Sequence, residues 1–425
     1  MNSKLIERKP YMQVLRSLKE QHIIKVLTGM RRCGKSTLFE MIATEIQQTA
    51  TKKQIQFYNF EDVETLDIGD FMQIHRHITR RLVAGKMNYI FLDEVQNIAH
   101  FERMVDSLYI RKNIDLYVTG SNAYLLSSEL ATLLTGRYIE INMLPFSFSE
   151  YYALSTPPNL SENASLAELT PCPSTPPNLS KNASLAEFIY HGGIPQAVAL
   201  AGNPHSQNNK FVEGVLNTIL EKDIFQRHPK INKQAFKHIL DFVLDSIGSL
   251  LSPRSISDTL RTNGTIIDKE SVGDYLEYLT EAYILYRAPR YDMKGKRLLQ
   301  TLDKYYLSDA AFRKVRLGRQ VVDDRGHLLE NAVYLELRRR NREVYVGKMR
   351  DTEVDFVAVD DNGYVAYYQV AFSVLDENTL TRELRPLLAI RDSNPKFLLS
   401  TDLDVNPVYE GIRKMNVADW LLDSP

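Results

Sequence analysis

Cysteine is nearly absent from this 425-residue chain: only Cys33 and Cys172 occur, 139 positions apart, which excludes a disulfide scaffold and a cysteine-based zinc site. No apolar run reaches the roughly 18 residues a membrane-spanning helix needs. The first residues, Met1-Asn2-Ser3-Lys4-Leu5-Ile6-Glu7-Arg8, lack the apolar core of a signal peptide, so the expectation is a cytoplasmic location with no membrane partner. Neither sign of charge is in excess. With 52 Lys and Arg against 53 Asp and Glu, the net charge is -1, and no global field draws the chain to nucleic acid; only local patches can. The hydrophobic share of 44% and charged share of 25% are ordinary for a soluble globular chain long enough for two or three domains.

What is present starts near the amino terminus. The apolar run Ile23-Ile24-Lys25-Val26-Leu27 precedes Gly29-Met30-Arg31-Arg32-Cys33-Gly34-Lys35-Ser36-Thr37, and the apolar-periodic Leu38-Phe39-Glu40-Met41-Ile42 follows. Strand, glycine-bounded loop and helix in that order satisfy G-x-x-x-x-G-K-S in the context the motif requires. Gly29 and Gly34 permit a tight loop whose N–H groups, those of Arg31, Arg32 and Cys33 included, point at phosphate oxygens beside a helix N-terminus. Lys35 is expected near the β- and γ-phosphates, the Ser36 hydroxyl on Mg²⁺, and Thr37 beside it. An ordinary strand-loop-helix turn with a surface lysine is the bland alternative. Cys33 reads as a small loop-filling residue, with an acidified thiol beside Lys35 as the second reading.

Further strands carry polar residues at their ends. Met87–Leu92 runs into Asp93-Glu94, 58 residues beyond Lys35, and in a parallel sheet such an end faces the ligand crevice. Asp93 is expected to support Mg²⁺ and Glu94 to polarise water attacking a γ-phosphate. Ile114–Val118 leads to Thr119-Gly120-Ser121-Asn122, where Asn122 or Ser121 is placed to hold that water or to sense the phosphate; a capped β-turn is the alternative. Arg137 is read either as a phosphate-contacting arginine, in its own site or a neighbouring subunit's, or as a surface ion pair. The alternation of strands and helices from 23 to 148 requires a largely parallel sheet with helical crossovers.

The pattern breaks at 155–187. Residues 155–168 recur at 174–187 with Lys181 in place of Glu162, a period of 19 residues. Two proline-rich copies do not make a solenoid, so this stretch is expected to be a mostly disordered insertion with short helical tendencies at 163–168 and 182–187. Helical character resumes over 188–247, with Gly192, Gly193 and Pro195 marking a constrained turn. Between 248 and 302, helices at 253–260 and 268–285 precede a strand pair, the outline of a winged helix. Its second helix is acidic and repels phosphate, whereas Arg287, Arg290, Lys294, Lys296 and Arg297 make the wing basic, so a nucleic-acid contact through the wing and protein packing against the acidic helix are both open. From 303 to 425, a helix containing Glu330 precedes strands at 344–347, 353–359 and 365–371. The basic run Arg338-Arg339-Arg340 fits either a nucleic-acid backbone or a solvated helix end.

The loop at 29–37, Phe91-Leu92-Asp93-Glu94-Val95-Gln96, Thr119–Asn122, and Gly136-Arg137 with Leu144-Pro145-Phe146-Ser147-Phe148 together resemble a prokaryotic family of AAA-type ATPases. Leu329-Glu330-Asn331, Glu353–Phe356 and Tyr368-Gln369-Val370 look like that family's carboxyl-terminal domain of unknown function, related to restriction-endonuclease-like folds. The resemblance implies an α/β protein: a P-loop AAA-type core with a parallel sheet at 1–150, the duplicated insertion at 151–187, a helical segment at 188–247, a winged-helix segment at 248–302 and a nuclease-like domain at 303–425. It implies ATP and Mg²⁺ as cofactors, Lys35 and Ser36 at phosphate and metal, Asp93 and Glu94 in metal support and hydrolysis, Asn122 as a sensor and Arg137 as a phosphate contact. Active members of the nuclease superfamily add a Glu-x-Lys triplet to the acidic pair. Glu330 and Asp355 match that pair, but Gln369 and Ala371 replace the triplet's ends, so a retained fold used for binding is expected. The function expected is ATP hydrolysis coupled to movement of a carboxyl-terminal module. Two alternatives stand beside it: an ATP-regulated binding protein for nucleic acid or protein, in DNA transactions or defence, and an ATP-dependent nuclease. A homo-oligomer fits either arginine reading.

Overall fold

The computed structural model describes residues 6–123, 134–155, 177–200, 205–295, 297–299, 302–318, 324–349, 352–403 and 408–423. Two compact units emerge. The first is Met1–Pro145 with Glu281–Tyr283, and the second is Phe146–Thr280 with Ile284–Pro425.

In the first unit, helix α1 (Lys9–Leu18) leads to strand β1 (Ile24–Thr28) and helix α2 (Lys35–Ile46). Then come β2 (Ile55–Asn59), α3 (Val63–Leu66), α4 (Phe71–Arg80), β3 (Asn88–Asp93), α5 (Phe101–Tyr109), β4 (Ile114–Thr119) and β5 (Tyr138–Asn142). The five strands form one parallel sheet in the order β2-β3-β4-β1-β5. Strands β1, β3 and β4 are buried along their whole length, which is why they read as unbroken apolar runs rather than as alternation. One face packs Ile24, Val26, Ile90, Leu92, Leu116 and Val118 against Ile74 and Ile78 of α4 and Val105 and Leu108 of α5. The other face stacks Phe91 on Tyr117 at 4.6 Å and sets Phe39 of α2 edge-on to Phe91 at 5.3 Å. A fully buried Lys25 interrupts the run of β1. Its ammonium pairs with Asp115 of β4, which also accepts from the Tyr117 hydroxyl at 2.9 Å, so the charge has a partner where it is buried.

The second unit begins with α6 (Phe148–Ser155) and continues with α7 (Pro177–His191), α8 (Pro195–Ala199) and α9 (His205–Ile219), which runs into a π-helical turn at Leu220–Phe225. The second copy of the duplicated stretch therefore lies largely in helix α7, which includes the helical tendency expected at 182–187 and extends it on both sides, where a mostly disordered loop was expected. Leu185 is buried, Lys181 pairs with Asp419 at 2.7 Å and the Asn182 amide donates to the Thr401 carbonyl at 2.9 Å. Most of the first copy lies outside the described residues.

Helix α10 (Lys233–Asp245), strand β6 (Leu250–Leu251), α11 (Pro253–Thr262), α12 (Lys269–Glu281), β7 (Leu285–Ala288), β8 (Arg290–Asp292), β9 (Arg297–Leu298) and β10 (Asp303–Leu307) follow. Strands β6, β10 and β7 form an antiparallel three-stranded sheet, with β6 between α10 and α11 and the other two strands after α12. That sheet crosses the boundary expected at 302, since β10 is its central strand. The helix expected to continue to 285 stops at Glu281, and Tyr283 takes a left-handed φ of 53°. The basic wing is not free-standing, because β8 pairs in parallel with a strand of the larger sheet.

After α13 (Ala311–Leu317) and α14 (Arg325–Arg340), the strands β11 (Glu343–Met349), β12 (Thr352–Val359) and β13 (Val365–Val370), helix α15 (Glu377–Leu388), β14 (Lys396–Ser400), β15 (Val408–Tyr409), β16 (Ile412–Asn416) and α16 (Val417–Leu422) complete the unit. Its mixed sheet has the order β15-β16-β14-β13-β12-β11-β8-β9. Helix α14 is buried without a break from Leu328 to Leu337. The Asn331 amide makes both hydrogen bonds to the backbone of Leu307, 2.7 Å and 3.1 Å, and so stitches α14 to β10.

The Gly192-Gly193 turn between α7 and α8 has a steric cause. Gly192 holds φ +79°, and a Cβ there would lie 1.8 Å from Asp309 Oδ1; the Gly193 N–H donates to Asp309 Oδ2 at 2.7 Å. Burial pushes the Asp309 carboxyl up to about 6 even though three backbone N–H groups draw it down. Gly192→Ala is expected to lower the stability of this unit by about 2–3 kcal/mol, seen as a lower urea midpoint with an unchanged slope.

Candidate phosphate-binding site

The site forms where the carboxyl ends of β1, β3 and β4 meet, and the backbone of the connecting loop sets its shape. Gly29 has φ +137°, Arg32 φ +67° and Gly34 φ +104°. A Cβ on Gly29 would stand 2.2 Å from the carbonyl oxygen of Met143, so any other residue would force the loop away from the strand. Gly34 caps α2, and Lys35 is its first residue. The loop is also braced from behind. Arg8, which sequence reasoning did not single out, is 4% exposed and donates to the carbonyls of Cys33 at 3.2 Å, Leu144 at 2.9 Å and Pro145 at 3.2 Å.

Lys35 is buried. Its ammonium donates to the carbonyls of Gly29 at 3.0 Å and Met30 at 3.2 Å and to Ser121 Oγ at 2.9 Å, and it lies 3.6 Å from Glu94 Oε1. Ser121 in turn donates to Glu94 Oε1 at 2.5 Å, and the Gln96 amide donates to Glu94 Oε2 at 2.5 Å. Burial alone would raise the Glu94 carboxyl, but the Lys35 ammonium, the Ser121 hydroxyl and the Gln96 amide outweigh it and hold the group below its ordinary value. Glu94 also sits at φ 56°, ψ 48°, a left-handed conformation that is uncommon for a residue with a side chain. Its backbone N–H donates to Thr119 Oγ1 at 2.9 Å while Thr119 Oγ1 donates to Asp93 Oδ1, so one threonine ties β4 to both acids.

Asp93 is 1% exposed and its Oδ2 has no hydrogen-bond partner. An orphaned buried carboxylate oxygen costs about 1–3 kcal/mol. Burial raises the Asp93 carboxyl, against hydrogen bonds from Thr119 and Ser36 that lower it. A carboxylate oxygen without a partner, next to the Ser36 hydroxyl and at the mouth of a phosphate loop, fits a hydrated Mg²⁺. Among the described residues no group of three or more His, Cys, Asp or Glu side chains could hold a metal ion, so such an ion would rely on phosphate and water for its other ligands.

The remaining expected residues divide. Asn122 is 2% exposed beside Ser121 at the end of β4. Ser36 and Thr37 are half-buried on the first turn of α2, and Arg32 is exposed. Arg31 pairs with Glu61 at 2.8 Å. Cys33 is fully buried and burial pushes its thiol up, which supports the loop-filling reading and not the acidified one. Arg137 is not brought to its own chain's site: it precedes β5, its carbonyl accepts from Ile24 N, and its guanidinium pairs with Asp106. That is the start of β1, whereas the phosphate loop leaves the other end, some 15 Å away at the rise of a strand.

With this geometry in view, the comparisons with known proteins are informative. Residues 21–152 match a family described as "AAA domain", and residues 182–321 match a domain of unknown function, DUF8612. An uncharacterized protein of Haemophilus influenzae is 32% identical over 424 residues, covering 99% of this chain and all of that one. The chain belongs to that protein's family. It is an AAA-ATPase-like P-loop domain fused to an uncharacterized carboxyl-terminal region. A protein of Methanocaldococcus jannaschii, also uncharacterized, is 27% identical over 93% of this chain and 85% of its own length. Among solved structures, a Walker-type ATPase of Pyrococcus abyssi aligns with 74% of this chain and 97% of its own at 14% identity and a TM-score of 0.47.

The expected basic contacts are largely engaged within the second unit. Arg287 pairs with Asp303 at 2.6 Å, and Arg290 is 7% exposed with Glu353 3.8 Å away. Lys294 and Arg297 are exposed, and Lys296 lies outside the described residues. Arg339 and Arg340 pair with Glu336, and Arg340 lies over the Trp420 ring at 4.3 Å.

Glu330 and Asp355 do meet in a buried pocket of the second unit, joined by a residue that sequence reasoning missed. Lys304 on β10 lies 3.0 Å from Glu330 Oε1, 3.1 Å from Glu353 Oε1 and 3.8 Å from Asp355 Oδ1. Gln369 faces the same pocket and donates to Glu383 Oε2 at 2.9 Å. Burial, then Glu330, push the Asp355 carboxyl up to about 8, with Glu383 adding and with Lys304 and the Val370 N–H opposing. Between about pH 4 and pH 8 the folded chain therefore holds a proton that the unfolded chain has released, and stability falls as pH rises through that window. Urea midpoints measured at pH 5 and pH 8 are expected to be lower at pH 8, and Asp355→Asn is expected to shrink that difference.

Proposed function

We propose that the first unit binds ATP with Mg²⁺ at the Gly29–Thr37 loop and hydrolyses the γ-phosphate, and that nucleotide occupancy alters the carboxyl-terminal module. The observation that carries this reading is the Lys35–Ser121–Glu94 network beside the unpartnered oxygen of Asp93. Lys35 is the cation that phosphate oxygens would meet, and the two carbonyls that now hold its ammonium compensate the charge in the meantime. Ser36 and Asp93 would hold Mg²⁺, which when bound spreads the negative charge of the phosphates. Glu94, kept ionised by its three partners, orients water, and Ser121 and Asn122 hold the far side of the same crevice.

The coupling reading is supported by residues 281–283, which group with the first unit. The Ala123 N–H donates to the Glu281 carbonyl at 2.8 Å, and the buried Tyr283 hydrogen-bonds with Thr28 and Asn142. Both contacts adjoin the ends of the strands that carry the site, and the same three residues join α12 to β7 in the chain. A nucleic-acid partner has less support, because Arg287 and Arg290 already face carboxylates.

Phosphate release from ATP tests the reading. Lys35→Ala is expected to lose nucleotide affinity together with turnover, whereas Glu94→Gln is expected to keep affinity and lose turnover by about 10²-fold or more. Unchanged phosphate release in both variants would remove the hydrolytic assignment.

A further inference from the structure

The pocket around Lys304 draws four acidic side chains from three elements: Glu330 from α14, Glu353 and Asp355 from β12, and Glu383 from α15. Positions 353 and 355 share a face of the strand because side chains alternate. Such a convergence in a buried place demands a cation. We propose that the cation is the chain's own: the Lys304 ammonium holds the position between Glu330, Glu353 and Asp355 that a divalent metal would otherwise take, closing an acidic pocket that would otherwise bind one.

Three observations carry this beyond a cluster of acids. First, Lys304 is 6% exposed and its ammonium is directed into the pocket, where 3.0 Å to Glu330 and 3.1 Å to Glu353 are N–H···O spacings and Asp355 stands at the longer ion-pair distance of 3.8 Å. Metal–oxygen bonds would need about 2.0–2.6 Å, so these oxygens are set for an ammonium. Second, the acids are oriented by other donors. The Tyr306 hydroxyl donates to Glu330 Oε1 at 2.6 Å, the Val370 N–H to Asp355 Oδ2 at 2.9 Å and the Gln369 amide to Glu383 Oε2. Third, the Nε of Arg290, itself buried, has no hydrogen-bond partner and stands 3.8 Å from Glu353 Oε2, bringing a second positive charge to the rim. Gln369 completes the pattern, since a neutral amide on β13 adds no charge that Lys304 would have to balance. The cation also has a structural consequence: Lys304 belongs to the three-stranded sheet and its acidic partners to α14 and the mixed sheet, so the ion cluster fastens these layers of the second unit together.

The test is Mn²⁺ binding to the full chain without nucleotide, followed by electron paramagnetic resonance. Wild type is expected to show no Mn²⁺ site that depends on Asp355. Lys304→Ala is expected to gain one, binding at least about tenfold tighter than wild type, and to lose it when Asp355→Asn is added. A wild-type Mn²⁺ site abolished by Asp355→Asn would overturn the proposal, as would a folded Lys304→Ala protein that binds no Mn²⁺. Should Lys304→Ala not fold, the wild-type titration against the Asp355→Asn control still decides. In addition, Lys304→Arg, which keeps the charge, is expected to fold and to bind no Mn²⁺ there; Asp355-dependent Mn²⁺ binding by that variant would count against the proposal.

Discussion

A lysine ammonium taken out of water needs partners where it stops, and three of the buried lysines among the described residues show how this chain supplies them. Lys25 is matched by Asp115 inside the parallel sheet, Lys35 by two carbonyls, Ser121 and Glu94 at the sheet's edge, and Lys304 by three carboxylates in the second unit. The three differ in how completely the partners close. Lys25 and Lys304 are held by carboxylates that other donors have already oriented. Lys35 leans on backbone carbonyls, neutral acceptors that an anion can displace, and beside it an oxygen of Asp93 is left without a partner. On the proposed reading, that incompleteness is what separates a nucleotide site from ion pairs that serve the fold.

The parts of the site that are contiguous in the chain were legible in the sequence. Gly29–Thr37 and Asp93-Glu94 each carry their context with them: an apolar strand before, and a helix or polar turn after. The residues that tune them were not, because the tuning is made by contacts across the sheet. Thr119 bridges Asp93 and Glu94 and Gln96 reaches back two residues, but threonine and glutamine at strand ends are too common to mark a role; Ser121 was singled out, though not its link from Glu94 to Lys35. Arg137 shows the converse. Its place in the family's ordered motifs suggested a phosphate contact in its own site or a neighbouring subunit's; register keeps it from its own, since Ile24 pairs with Tyr138 and the loop leaves the far end of β1.

The second unit was less legible for a related reason. Strands of two sheets interleave along the chain, so β8 and β9 join the mixed sheet while β7 and β10, on either side of them, join the three-stranded one. A boundary drawn between 302 and 303 follows composition and cuts a sheet. The duplicated stretch misled in a similar way. Prolines and serines suggested disorder in both copies, but the second copy leads into Phe188-Ile189-Tyr190, and buried contacts at Leu185 and Ile189 hold the helix in place. Lys304 lay hidden because a lysine in a short strand has no local signature; its meaning comes from Glu330 and Asp355 far along the chain.

The central claim is that nucleotide occupies the loop at 29–37 and is felt at residues 119–123 and 281–283. Amide hydrogen–deuterium exchange of the full chain, with and without a saturating non-hydrolysable ATP analogue and Mg²⁺, addresses it most directly. Slower exchange at 29–37 and 119–123, with altered exchange at 281–283, is the expected result. Unchanged exchange across 29–37 at saturating analogue would contradict it.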